Sequence, residues 1–206
     1  MKNDHRSTPP VIDTETMTRI QREKEDLRMR LLRVRREIPP PDRATKSLSI
    51  QTNILLLCQN YRPGLIHIFL PFGDEPEIRP LMGPLRERGF KLVVPVISVE
   101  GLLLAALEPQ TDLYPGPFGI LEPRHFNPLP VEDVGLYLLP GVAFDRNGGR
   151  LGYGKGFYDR LLSRCTAPRF GVSFAEQIVD SVPLTERDIL VDGVITDKEI
   201  VYRDQH

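Results

Sequence analysis

Ile20, Leu27, Leu31, Val34 and Ile38 recur at spacings of 7, 4, 3 and 4. That rhythm puts them on one stripe of a helix, so it predicts a helix from about Thr14 to Ile38. Its other faces carry many cations, among them Arg19, Arg22, Lys24, Arg28, Arg30 and Arg33. Pro39-Pro40-Pro41 stops this helix, and Asp42 is placed to cap a second one running to about Asn60. Leu48, Ile54, Leu55, Leu57 and Cys58 are its expected inward positions.

The pattern then changes from periodic to continuous. The run from Leu65 to Leu70 is apolar without a break, except for His67, as in a strand buried on both faces. Pro76 suits a first helical turn, with Ile78, Leu81, Met82 and Leu85 as its stripe and Gly89 as its stop. Lys91–Val96, Leu102–Leu107, Leu136–Leu139, Arg169–Ser173 and Glu199–Tyr202 read as further strands. Residues 108–134 hold six prolines and no period, and predict a long irregular connection. Strand–helix–strand alternation predicts an α/β sandwich with a mostly parallel sheet. Residues 1–13 read as a loose polar tail and 14–206 as a single domain.

Composition narrows the classes. The 206 residues include 27 Lys+Arg against 28 Asp+Glu, so no general cationic surplus favours nucleic acid. Cys58 and Cys165 are too few for a disulfide framework and form no zinc motif. No apolar run approaches the roughly 18–20 residues of a membrane span. The N-terminal residues contain no signal-peptide core. A soluble, cytoplasmic protein is expected, with no nucleic-acid or membrane partner, and a monomer. His67, inside an apolar run, is expected to be structural.

Two segments follow buried strands and carry candidate chemistry. The longer is Pro140-Gly141-Val142-Ala143-Phe144-Asp145 followed by Arg150-Leu151-Gly152-Tyr153-Gly154-Lys155-Gly156-Phe157-Tyr158-Asp159-Arg160. Six glycines between 141 and 156 free backbone N–H groups to approach an anion, and a helix follows. Arg150 and Lys155 add full charge. The pattern Gly149-x-x-x-x-Gly154-Lys155 starts like a P-loop, but Gly156 stands where a Ser/Thr would hold Mg²⁺. Carboxylates must then supply metal ligands, with Asp159 and Asp192 as candidates. The shorter segment is Leu70-Pro71-Phe72-Gly73-Asp74-Glu75, whose Glu75 also reads as a favourable charge at a helix start. Lys24 and Arg28, one turn apart, repel unless an anion lies between them.

Together these segments resemble the 5-formyltetrahydrofolate cyclo-ligase family, also called methenyltetrahydrofolate synthetases. Lys24-x-x-Leu27-Arg28, Leu70–Glu75, Phe118-Gly119-Ile120-Leu121-Glu122-Pro123 and Val191-Asp192 agree in order with the long glycine-rich run. The resemblance implies a Rossmann-like three-layer sandwich, similar to the ribose-5-phosphate isomerase and CoA-transferase group. It implies ATP- and Mg²⁺-dependent closure of 5-formyltetrahydrofolate to 5,10-methenyltetrahydrofolate through a phosphorylated formyl group, an iminium phosphate. ADP and phosphate are the other products. By resemblance, Lys24, Arg28 and Arg150–Tyr158 hold ATP, with Arg150 and Lys155 catalytic. Leu70, Glu75, Tyr153 and Phe157 hold the folate, and Asp159 and Asp192 the Mg²⁺. Phe157 stands where the family commonly has Tyr. A non-catalytic folate- or nucleotide-binding relative is the alternative reading.

Overall fold

The computed structural model describes residues 14–203. The expected loose tail, residues 1–13, lies outside the described residues. The first helix, α1 (Thr14–Glu37), buries Leu27 and Leu31 against Val142, Ala143, Leu151 and Val182. Lys24 and Arg35 are buried on the same helix. In α2 (Pro40–Cys58), Pro39 is the cap residue, and prolines fill the first turn, where a missing N–H leaves no hydrogen bond unmade. Asp42 makes no cap bond, so that expectation fails. Leu48 also fails as an inward residue: it is 61% exposed, and Ile50 occupies the buried position instead.

Along the chain follow β1 (Leu65–His67), α3 (Met82–Glu87), β2 (Lys91–Ser98), β3 (Gly101–Ala106), β4 (Leu113–Pro115), β5 (Leu121–Pro123), β6 (Val134–Pro140), β7 (Ala143–Asp145), β8 (Arg150–Leu151), α4 (Phe157–Leu162), β9 (Arg169–Val172), β10 (Ile178–Val179), β11 (Gly193–Ile195) and β12 (Ile200–Tyr202). Seven strands form the main sheet in the order β12-β11-β9-β6-β1-β2-β3. The inner pairs are parallel, and only the two edge pairs, β2–β3 and β11–β12, are antiparallel. The mostly parallel sheet expected from the sequence is therefore present.

Alternation along the inner strands divides the core. Leu92, Val94, Leu136 and Leu138 face α2 and α3, while Val93, Tyr137 and Leu139 face Leu161 and Leu162 of α4. Phe144 enters this second cluster from β7 and is fully buried. A Cβ on Gly141 or Gly171 would lie only 2.5 or 2.2 Å from the Phe144 ring, so both positions require glycine for close approach rather than for backbone freedom.

Three connections differ from expectation. Pro76 starts no helix; a 3-10 turn begins at Arg79 and runs into α3. Glu75 is therefore not a charge at a helix N-terminus. The segment 108–134 is not wholly irregular, because β4 and β5 pair within it as a hairpin. The strand β11, Gly193–Ile195, was not expected from the sequence; it is short, buried and parallel to β9.

His67 behaves as a structural residue. It is fully buried, stacked on Tyr137 at 5.2 Å and set edge-on to Tyr158 at 5.7 Å. Its Nδ1 lies 3.0 Å from the Leu138 carbonyl, which only accepts, so Nδ1 carries the proton. Burial pushes its pKa down to about 4. The folded state thus keeps His67 neutral while the unfolded chain takes up a proton below about pH 6.5. Stability is fully present above that value and falls as pH drops towards 4, by about 3 kcal/mol from this residue. Urea midpoints of wild type and His67→Gln between pH 4 and 7.5 check this. The variant is expected to lose much of the acid slope; parallel profiles would refute the assignment.

Candidate functional site

The carboxyl ends of β1, β2 and β6 open into a cavity of about 1080 Å³. Ligands of open α/β sheets bind at this end of the strands. The volume exceeds the roughly 300–1,000 Å³ typical of one small-molecule site, leaving room for two substrates. Its walls come from α1, the segment after β1, the β4–β5 hairpin, residues 150–160 and residues 185–189.

The glycine-rich wall begins with β8, which pairs back on β7 and delivers Arg150 into the interior. Arg150 donates from Nη2 to Asp159 Oδ1 at 2.9 Å and covers the Tyr158 ring at 5.4 Å. Gly154 and Gly156 have φ of +87° and +63°, a conformation that favours glycine. Among the described residues, no backbone N–H from Gly152 to Gly156 finds a hydrogen-bond acceptor. Lys155 is exposed at the tip of this cradle. Unpaired N–H groups, an adjacent helix start and a free ammonium suit a polyphosphate.

Helix α1 closes the opposite side. Arg28 donates from Nε to the Gly152 carbonyl at 2.9 Å and pairs with Glu25. Lys24 donates from Nζ to both oxygens of Asp188, at 2.7 and 2.5 Å. Each cation has its own partner, so the supposed repulsion within the helix is already relieved without an anion between them. Burial works to raise the Asp188 carboxyl, but the bonds from Lys24 and Thr185 hold it below its usual range.

The apolar wall contains Leu70, Phe72, Ile97, Leu102 and Phe118. Glu75 sits within it, accepting from the Phe72 N–H at 3.0 Å and the Tyr153 hydroxyl at 2.9 Å. Phe157 lines the same space, with Arg160 stacked 5.3 Å from its ring centroid. The Phe118–Pro123 segment is the tip and second strand of the β4–β5 hairpin. Its Glu122 is buried and accepts from the Ile97 N–H at 2.9 Å, pinning the hairpin to β2.

The structure therefore brings together Lys24, Arg28, Leu70, Glu75, Arg150, Leu151, Gly152, Tyr153, Gly154, Lys155, Gly156, Phe157, Tyr158 and Asp159. It does not bring Asp192 to them. Asp192 accepts from the Arg169 N–H at 2.9 Å and lies near Arg203, at the other end of the sheet strands it joins. The aspartate that joins Asp159 in the cavity is Asp188, beside Ile189, whose N–H lies 3.3 Å from Asp159 Oδ1. In the sequence, Glu186-Arg187-Asp188 reads as a solvated turn, and nothing local marks it. Arg35 was missed as well. It is buried, donates to the Tyr153 hydroxyl at 2.7 Å, and its charge is masked in a run of helix arginines.

Known proteins match this sequence and fold. A model of the 5-formyltetrahydrofolate cyclo-ligase family covers residues 20–197. The 5-formyltetrahydrofolate cyclo-ligase of Mycolicibacterium smegmatis is 32% identical over 189 residues, spanning 86% of this chain and 95% of its own. That of Escherichia coli K12 is 30% identical over 175 residues, spanning 81% and 96%. The solved 5,10-methenyltetrahydrofolate synthetase of Aquifex aeolicus superposes with a TM-score of 0.77 at 31% identity, covering 89% of this chain and 94% of its own. With the fold and nearly the whole described chain in common, this protein belongs to the 5-formyltetrahydrofolate cyclo-ligase family.

Proposed function

We propose that this chain catalyses the ATP-dependent closure of 5-formyltetrahydrofolate to 5,10-methenyltetrahydrofolate, releasing ADP and phosphate. The observation that carries the reading is one shared cavity in which an anion cradle, residues 150–158, faces a carboxylate in an apolar wall, Glu75. A triphosphate suits the cradle and a folate ring suits the wall, so the formyl group and the γ-phosphate meet between them.

The chemistry needs charge neutralisation more than covalent help. The formyl oxygen attacks the γ-phosphorus, the bond to ADP breaks, and the N5 lone pair forms an iminium at the formyl carbon. The N10 amine then adds to that carbon. The C–O bond breaks as phosphate departs with the formyl oxygen and the N10 proton. Arg150 and Lys155 neutralise the transferring phosphoryl, with the N–H groups of Gly152–Gly156 as preorganised donors. Lys24 and Arg28 hold the far phosphates. Glu75 accepts N–H donors of the folate ring, and Leu70, Tyr153 and Phe157 bound it.

Magnesium is usually held by one or two carboxylates plus substrate phosphates, and the cavity offers Asp159 and Asp188, each beside a cation that fixes it. This pair fits a metal arriving with the nucleotide, and Asp188 takes the place first given to Asp192. When bound, the ion neutralises phosphate charge.

Mixing the protein with 5-formyltetrahydrofolate, ATP and Mg²⁺ is expected to produce methenyltetrahydrofolate absorbance, and none when either ATP or Mg²⁺ is omitted. Folded protein that binds both ligands in calorimetry yet forms no product would favour a non-catalytic relative and overturn the reading.

A further inference from the structure

We propose that Arg35 is a positioning residue that, through the Tyr153 hydroxyl, fixes Glu75 as a pure acceptor for paired N–H donors of the folate ring. This rests on the reading that Glu75 contacts the folate.

The direction of the chain of bonds follows from donor counting. A guanidinium carries five N–H donors and no acceptor. Arg35 Nη2 lies 2.7 Å from Tyr153 Oη, so Arg35 donates. The phenol has one proton, and with Arg35 on its lone pair that proton points to Glu75 Oε1, 2.9 Å away. The Phe72 N–H takes the other oxygen, Oε2, at 3.0 Å. Each carboxylate oxygen therefore accepts one bond from the protein and keeps a free lone pair. No reversed arrangement is open, because Arg35 cannot accept.

The arrangement selects a ligand edge. Two adjacent acceptors suit two adjacent N–H groups, such as a ring N–H beside an exocyclic amine. A protonated Glu75 would present a hydroxyl to that edge and clash with one donor. Burial works to raise the Glu75 carboxyl, and the Phe72 N–H, the Arg35 charge and the Tyr153 bond oppose it. The groups facing Glu75 are Arg35 from α1, Tyr153 from the glycine-rich loop and Tyr158 from α4, while Asp74 in its own loop is held by Arg43 and Arg36.

Arg35 is poorly explained as a stabilising residue. It is 4% exposed, and its Nε and Nη1 have no hydrogen-bond partner among the described residues. A buried cation with two idle donors burdens the fold, and an apolar residue of similar length is often neutral or stabilising there. Its side-chain hydrogen bond and ring contact among the described residues are both to Tyr153, the ring at 5.8 Å.

The test compares wild type, Arg35→Met, Arg35→Lys and Tyr153→Phe across pH 5–9. Arg35→Met is expected to keep or raise Tm, leave KM for ATP unchanged and move the acid limb of kcat/KM for the folate to higher pH. At a fixed pH on that limb, kcat/KM falls about tenfold for each pH unit the limb moves. Arg35→Lys is expected to recover part of the limb. Tyr153→Phe is expected to move it the same way, with the double variant adding little. An unmoved limb in an active Arg35→Met, or in an active Tyr153→Phe if Arg35→Met does not fold, overturns the inference and leaves the cyclo-ligase reading intact. Carboxyl ¹³C NMR of ligand-free protein, with Glu75→Gln to identify the resonance, reads the coupling without turnover. An upward move of the Glu75 titration in Arg35→Met supports the inference even if the wild type makes no product, and no move overturns it.

Discussion

Lys155→Ala is expected to lower kcat for 5-formyltetrahydrofolate by about 10²–10³-fold, the loss typical of one preorganised donor to developing negative charge. Phosphoryl transfer gains little from covalent chemistry, so a missing cation acts directly on the barrier. The geometry directs the effect to turnover. Lys155 sits between two glycines of positive φ, and its own carbonyl accepts from Arg160 Nη1 at 3.1 Å, which fixes the peptide that presents the ammonium. The side chain is exposed, so Tm is expected to stay within a degree or two. Lys155→Arg keeps charge but changes its shape, and is expected to recover part of the rate. Stopped-flow measurement of methenyl product checks this. A variant within threefold of wild type would remove Lys155 from the phosphoryl site.

Asp145→Ala is expected to be the most damaging single substitution for the fold around the site. The carboxylate is 2% exposed and serves three backbone donors. Oδ1 accepts from Asn147 at 2.9 Å and Gly149 at 2.8 Å, and Oδ2 accepts from Val182 at 2.8 Å. Removing it strands three N–H groups in and around a buried turn, at about 1–3 kcal/mol each. A total of about 3–9 kcal/mol is a large share of the roughly 5–15 kcal/mol that holds a domain. At about 2–4 °C per kcal/mol, Tm should fall by about 6 °C or more. The turn leads into Arg150 and the phosphate cradle, so activity should fall before the protein melts. Asp145→Asn keeps acceptor oxygen on one side only and is expected to lie between. A Tm loss under 2 °C for the alanine variant would show that water replaces the carboxylate.

Residues whose roles depend on nearby sequence were readable from the chain. The stripe of α1, the continuous apolar runs of β2 and β6, and the glycine spacing of the cradle all follow from local geometry. Residues defined by distant partners were not. Leu48 fits the apolar pattern of α2 equally well whether it faces in or out; only the packed sheet decides. β11 is three residues long and takes its strand character from β9 beside it, not from its own sequence. Asp188 acquires meaning from Lys24, 164 residues away, and Arg35 from Tyr153, 118 residues away. Asp145 was partly legible, since an aspartate before Asn147-Gly148-Gly149 is a turn signal. Its third bond, to Val182, was not.

Helix α1 precedes its anchors in the chain by more than a hundred residues. Gly152 follows Arg28 by 124 residues and Asp188 follows Lys24 by 164. At about 5–20 residues per second, Asp188 leaves the ribosome roughly 10–30 s after Lys24. For most of that interval the apolar stripe of the helix has no partner, because the residues that cover it run from Val142 to Val182. Its docking surface is assembled from residues between Val142 and Asp188.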